Sequence, residues 1–370
     1  FFNIKLNLMK SYFYKFLFLL FLGLVITIPL MVWMSNEDQS KSKLVSRVSQ
    51  SNITNYEDDR IRFVPDNFFS VDFVGKSYGW VAGYYGTILK TIDGGENWTH
   101  ISLPNTDLIR RIQFLNKNDG WLVTHRGKIM SSKDGGSTWK TRYSADNQIN
   151  LRNIKFLDNS VGWAVGHEGT ILHTNDGGET WTNQFLNNFT GRDLPRLNGL
   201  TVLSESKAML AGEFGVIAET VDAGKTWTII SSPDIKATFT EIEQVGSSIL
   251  AVGLNGIVAQ VNSEKIDMST LPEDGEPVRV ELLNSDVNKH FFDIVTNKNG
   301  EGIVVGLANI LTIKNGGVLN KIKIDLPERD YLYFMGATPI SESKYVLVGA
   351  GGLAVTFDTT SAEIIGLVKW

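Results

Sequence analysis

Four copies of one turn, recurring beside three Gly-Trp pairs, predict an all-β chain: a seven-bladed β-propeller preceded by one transmembrane helix. The turns are TIDGGENW (91–98), SKDGGSTW (132–139), TNDGGETW (174–181) and TVDAGKTW (220–227), and their aspartates stand 41, 42 and 46 residues apart. Gly-Trp stands in step with them at 79–80, 120–121 and 162–163. Four short strands per repeat of about 40–45 residues make the blade of a propeller. The helix rests on an uncharged run of 19 residues, FLFLLFLGLVITIPLMVWM (16–34), close to the ~20 that cross a bilayer.

The elements follow in chain order. Residues 1–15 carry Lys5, Lys10 and Lys15 and no acid, and Glu37 and Asp38 follow the apolar run. Cationic flanks stay on the cytoplasmic side. Residues 1–15 are therefore read as a short cytoplasmic segment, 16–34 as a signal-anchor, and the remainder as extracytoplasmic, periplasmic or lumenal. A cleaved signal peptide is the alternative, although no A-x-A site follows the run. Residues 35–59 are rich in Ser, Asn, Lys and Asp and read as a flexible tether. Residues 60–370 hold the propeller.

In each of the first four units an alternating segment comes first (SVDFV, RIQFL, NIKFL, GLTVL). A second follows (GWVAG, GWLVT, GWAVG, AMLAG), then a short turn ending in Gly, then a third (TILKT, KIMSS, TILHT, VIAET). The Asp-Gly turn leads to Trp, which opens a fourth strand. Three weaker units, around 240–261, 292–314 and 333–357, bring the count to seven blades. Two segments compete for the outer place of the last blade: RIRFVP (60–65) and AEIIGLVK (362–369). The step from Gly253 to Gly306 is long, and the surplus, placed at 273–290, is expected on the face of the loops that enter each blade.

The turn has its own logic. Asp accepts hydrogen bonds from N–H groups just ahead of it. The glycine after it supplies positive φ at little cost. The tryptophan is an apolar plate able to pack between neighbouring sheets. Asp93, Asp134, Asp176 and Asp222, with Trp98, Trp139, Trp181 and Trp227, are therefore read as structural.

Composition bounds the chemistry. The chain has 370 residues, 42% hydrophobic and 20% charged, enough for a large core. Its net charge of −5 carries no basic footprint for nucleic acid. Cysteine is absent, which excludes disulfides, zinc-thiolate sites and a cysteine nucleophile. The five histidines show no metal-ligand spacing, and phosphate-loop, HExxH and G-x-S-x-G motifs are missing. No cofactor and no metal are expected.

The pattern S/T-x-D-x-G-x-T-W, with Asn97 in place of Thr in the first copy, resembles the Asp-box, or bacterial neuraminidase repeat. The longer unit, F…GWxVGxxGTILxTxDGGxTW over 68–230, resembles the photosystem II stability and assembly factor family. That resemblance implies a seven-bladed propeller that binds newly made membrane proteins without catalysing a reaction. It also implies an arginine-rich surface for the partner.

In such a propeller, the loop entering a blade's first strand shares a face with the turn between its second and third strands. The Asp-Gly turns lie on the other face. This sorting places Arg110, Arg111 and Arg152 beside Tyr84, Tyr85, His125, Arg126, His167, Glu168, Glu213 and Phe214 as a candidate partner-binding face, with Arg192 and Arg196 nearby. Arginine forks grip carboxylates bidentately and stack on aromatic planes. The expected partner is a membrane-protein client or complex subunit, offering an acidic peptide or a protein terminus. The alternative is a glycoside hydrolase of sialidase-like Asp-box type, using Glu168 and Glu213 as paired carboxylates.

Overall fold

The computed structural model describes residues 67–103, 107–262, 279–314, 318–322 and 333–367. These form seven four-stranded antiparallel sheets, each from one stretch of chain: 68–102, 109–144, 151–184, 197–229, 239–283, 291–322 and 334–367. Their first strands are Phe68–Val74, Ile109–Phe114, Leu151–Phe156, Leu197–Val202, Phe239–Val245, Phe291–Thr296 and Phe334–Pro339. Each packs on its neighbours and the seventh packs on the first, closing a ring around a central channel. The outer place of the seventh blade is taken by Glu363–Leu367, paired with Ala354–Asp358. Residues 60–65 lie outside the described residues, as do the expected cytoplasmic segment, membrane helix and tether. No helix among the described residues is long and apolar enough to cross a membrane.

Packing between blades explains the Gly-Trp pairs. Trp80, Trp121 and Trp163 are fully buried. Trp80 stacks on Phe114 of the next blade with ring centroids 3.5 Å apart, and Trp121 stacks on Phe156 at 4.0 Å. Each phenylalanine lies cross-strand from the glycine of its own blade's pair, Phe114 opposite Gly120 and Phe156 opposite Gly162. A Cβ at Gly120 would come 2.4 Å from the Phe114 ring, so a side chain there would displace the plate.

The turn tryptophans Trp139 and Trp181 meet the same phenylalanines edge-on, at 5.9 and 5.8 Å, and are half-buried. Trp98 meets Phe73 in the same way at 6.1 Å. The place between sheets expected for the turn tryptophans thus belongs to the Gly-Trp tryptophans. The fourth blade departs from the pattern: Val202 and Ala208 stand at the Phe and Gly register. There Trp227 is buried, and its indole N–H and that of Trp163 donate to one Gln184 Oε1, at 2.8 and 3.1 Å.

The turns close on themselves. The Thr174 hydroxyl donates to Asp176 at 2.8 Å and accepts the Gly178 N–H at 2.9 Å. Asp176 then accepts the Thr180 N–H at 2.9 Å and its hydroxyl at 2.6 Å. Asp134 and Asp222 repeat the scheme, and Asp93 repeats it with Asn97 as donor. The Gly135 N–H donates to Asn118 O at 2.9 Å, fixing that turn beside the loop between first and second strands. The turns therefore sit on the face away from the starts of the first strands.

The long fifth step resolves differently from the expectation. Val280–Leu283 is the fourth strand of its blade, paired with Val258–Val261. The Asn262 N–H donates to Arg279 O at 2.8 Å across the base of the insertion. Much of the surplus thus falls in the connection between the third and fourth strands, whose described ends, Asn262 and Arg279, stand at the Asp-Gly face. Residues 263–278 lie outside the described residues, and of the described part of the expected loop, 284–290 lead to the other face.

Candidate functional site

Every first strand carries a β-bulge one residue past its start. A bulge inserts one residue that pairs with nothing and re-aims its side chain. Because the bulge recurs at one register in each blade, seven re-aimed side chains ring the channel mouth. They are Phe292, Met335 and Phe69 in blades six, seven and one, Arg110 and Arg152 in blades two and three, and Asn198 and Thr240 in blades four and five. The ring is laced together. Arg110 lies over the Phe69 ring at 4.9 Å. Arg152 Nε donates to Asn198 Oδ1 at 3.1 Å, Asn198 Nδ2 to Phe239 O at 2.8 Å, and the Thr240 hydroxyl to Phe291 O at 3.0 Å.

The arginines of this ring keep their charge at a cost. Burial, and then the like charges of Arg152 and Arg111, pull Arg110 down to about 9. Burial and Arg196 pull Arg152 down to about 10, with Glu213 opposing. Arg110 Nε is buried without a hydrogen-bond partner. Arg196 pairs with Glu213 at 3.6 Å, and Glu213 also accepts the Arg196 N–H at 3.1 Å. Beside them, burial and then Arg152 and Arg196 depress His167 to about 4, leaving it a neutral imidazole at pH 7 with Nε2 buried and unpaired. Arg110, Arg152, His167, Glu213 and Arg196 thus form one electropositive arc over blades two to four. Tyr84 adjoins it through Phe69, ring to ring at 5.1 Å.

Other candidate residues fall elsewhere on this face. Arg126 is more than half exposed and faces Asp107 at 3.6 Å, a carboxylate that Lys128 also holds at 2.9 Å. His125 Nδ1 accepts the Leu108 N–H at 3.0 Å. Arg192 is almost fully exposed beside Asp193. Tyr85, Glu168 and Phe214 occupy the same turn position with φ of 54°, 53° and 59°, and all three are exposed. Left-handed backbone is uncommon for bulky residues, and it lifts these side chains away from the sheet.

Arg111 leaves the rim altogether. It follows the bulge, points into the channel, and pairs with Glu241 and, at 3.5 Å, with Asp293 on the opposite side of the ring. Its Nε donates to Asn153 Oδ1 at 3.2 Å, and Asn153 Nδ2 donates to Glu241 at 2.9 Å. Burial opposes the Arg111 charge, but Asp293 and Glu241 raise its pKa well beyond the ordinary value. Glu241 is pushed up to about 7 by burial, with the Arg111 charge opposing and the neighbouring Asp293 carboxylate adding to the rise. The same carboxylates accept free N–H groups of the first strands: Leu200 and Ile242 donate to Glu241, and Ala337 to Asp293. A cavity of about 200 Å³ begins at this network and continues along Asp72, Gln113, Lys155 and Glu243.

The Asp-Gly turns have another character. Hydrogen bonds from Asn97 hold Asp93 down to about 2, and those from Thr180 hold Asp176 at about 2. A general acid needs a pKa near the working pH, and these carboxylates are built to stay ionised acceptors. No group of three or more His, Asp or Glu side chains among the described residues is placed to hold a metal ion.

Fold and repeat together define a class, the seven-bladed propeller with a repeated Asp-Gly turn. Within that class the chain resembles the photosystem II stability and assembly factors: residues 95–257 match the family model described as Photosynthesis system II assembly factor YCF48. A structure of YCF48 bound to D1 peptide is similar with a TM-score of 0.62 and 16% identity, covering 80% of this chain and 93% of that one. YCF48 from Cyanidioschyzon merolae is similar with a TM-score of 0.62 and 15% identity, covering 81% and 98%. An ancestral GH74 enzyme is similar with a TM-score of 0.58 and 13% identity, over 81% of this chain and 46% of its own. At these identities the likeness to solved structures is one of fold. No curated protein matches the chain significantly in sequence.

Proposed function

We propose that this protein is a non-catalytic, membrane-anchored scaffold that holds a client segment while a membrane-protein complex is assembled, with the propeller outside the cytoplasm. One observation carries the reading: Arg110, Arg152 and Arg196 gather on one arc of the channel mouth, and Arg110 keeps a buried Nε without a partner. Such an arc is complementary to a carboxylate. The likeness to YCF48 supports the same kind of work, and the D1 peptide bound in that structure supports a peptide segment as client. The four closed turns act as Asp-boxes with a structural task. The uncharged run 16–34 and its cationic flank support the anchor. The hydrolase reading loses ground because Glu213 is engaged by Arg196.

The test is capture of client from detergent extracts at two salt concentrations. Replacing Arg110 and Arg152 together with alanine is expected to weaken capture tenfold or more, the loss of about 2 kcal/mol typical of a binding hot spot. Added salt should weaken the wild type and change the double variant little. Arg126→Ala, whose guanidinium already faces Asp107, should bind like wild type. Equal recovery by wild type and double variant, both folded, would overturn the reading.

A further inference from the structure

We propose that the channel mouth reads two features of one peptide at once: a carboxylate on the arginine arc, and an apolar or aromatic side chain beside it on an arc formed by Phe69, Tyr84, Tyr333 and Phe292. The proposal rests on the binding reading above and names the class of peptide.

The seven bulge positions are equivalent in backbone geometry, so the side chains placed there are what distinguish one sector of the mouth from another. They divide in two. Blades two and three supply arginine, while blades six, seven and one supply Phe292, Met335 and Phe69. Aromatic neighbours extend the second sector in two pairs. Phe292 meets Tyr333 edge-on at 6.0 Å. Tyr333 lies within electrostatic reach of Tyr84 and is hydrogen-bonded by Asn67. Tyr84 meets Phe69 edge-on at 5.1 Å. Met335 and all four rings remain partly accessible. Edge-to-face contacts of this kind leave ring faces open to a further apolar group.

The two sectors meet at one point, where Arg110 lies 4.9 Å above Phe69. A carboxylate gripped by Arg110 therefore sits within a few ångströms of the aromatic arc. An extended peptide advances about 3.3–3.6 Å per residue. The apolar side chain that reaches the arc thus belongs one or two residues from the carboxylate. A peptide fits better than a lipid surface, because the two sectors line the rim of a channel and take one chain at their junction.

The experiment is isothermal titration calorimetry on the full chain in neutral detergent, with acetylated eight-residue Gly/Ser peptides. They end in Phe-Glu, in Ser-Glu, or in Phe-Gln with an amidated terminus. The Phe-Glu peptide should bind at least tenfold more tightly than either of the others. Tyr84→Ser and Phe292→Ser should abolish the preference for Phe over Ser and keep the dependence on carboxylate. Phe69 is left in place because Arg110 stacks on it. Unchanged urea midpoints would show that both variants fold, and if one does not, the other decides. Carboxylate dependence without any preference for Phe would overturn this inference and leave the binding reading standing. Loss of carboxylate dependence would overturn both. Anionic vesicles that displace the Phe-Glu peptide at lipid concentrations where neutral vesicles do not would replace the peptide with a membrane surface.

Discussion

Replacing Arg111 with methionine asks whether the cross-channel ion pair is a strut joining blade two to blades five and six. Methionine keeps much of the volume and removes the charge. It strands Glu241 and Asp293, whose side chains are 2% and 1% exposed. Breaking a buried pair from one side costs about 3–5 kcal/mol. The lower end applies here, about 3 kcal/mol, because Leu200, Ile242 and Ala337 still donate to the two carboxylates. Urea unfolding at pH 7, followed by tryptophan fluorescence, measures it. The deficit should also depend on pH. Burial already pushes Glu241 up to about 7 with Arg111 opposing, and without Arg111 it rises further. An acid with a raised pKa binds its proton more tightly in the folded state, so its contribution is lost as pH rises through that window. The deficit should therefore shrink toward pH 5 and be largest above pH 7. Adding Glu241→Gln and Asp293→Asn should recover most of the loss. A deficit below about 1 kcal/mol, the scale of an exposed pair, or one that ignores pH, would refute the strut.

Two further outcomes are expected. Asp72 is pushed up by burial to about 6 and accepts the Phe114 N–H at 2.6 Å; its stabilising contribution, full near pH 4, is lost as pH rises through 6. Asp72→Asn keeps an acceptor without the charge, so it should be more stable than wild type at pH 7 by up to about 3 kcal/mol, and parallel pH profiles in thermal melts would contradict this. Ala223 stands in the fourth Asp-Gly turn at φ 61°, where the other copies have glycine; Ala223→Gly should gain about 0.5–1 kcal/mol in urea unfolding, and a loss would show that the turn is not strained there.

Much of the architecture is legible because its causes are local. The Asp-Gly turns bond within eight residues of chain, and the blades are hairpins between sequence neighbours, so a repeated string reports both. The Phe-to-Gly-Trp spacing is equally readable, since Phe114 and Gly120 face each other across one tight turn. What the string hides is what depends on three dimensions. Arg110 and Arg111 are adjacent in sequence, but a bulge sends one to the rim and the other into the channel. Nothing near Arg111 in the chain signals Glu241 or Asp293, which lie 130 and 182 residues away. Phe69 and Phe292 look like ordinary strand residues until the blades are aligned on the bulge. VELL at 280–283 carries weak strand character, so the string alone does not mark the outer strand that the structure pairs with Val258–Val261.

Among the described residues, the ring closes without exchanging a strand between its first and last blades. Nearly all pairing is therefore between segments close in sequence, which favours early formation of individual blades and late closure. At the junction of blades seven and one, the Gly351 N–H donates to Asn67 Oδ1 across 284 residues. Val71, Phe73 and Val81 pack there with Val346, Val348 and Ala354. No covalent strap backs these contacts, and hydrogen exchange at this seam should be the first to reveal ring opening. Phe292 and Tyr333 lie on one side of the seam, Phe69 and Tyr84 on the other. An occupant spanning them would clasp the two ends of the ring, so occupancy and closure would reinforce each other by mass action.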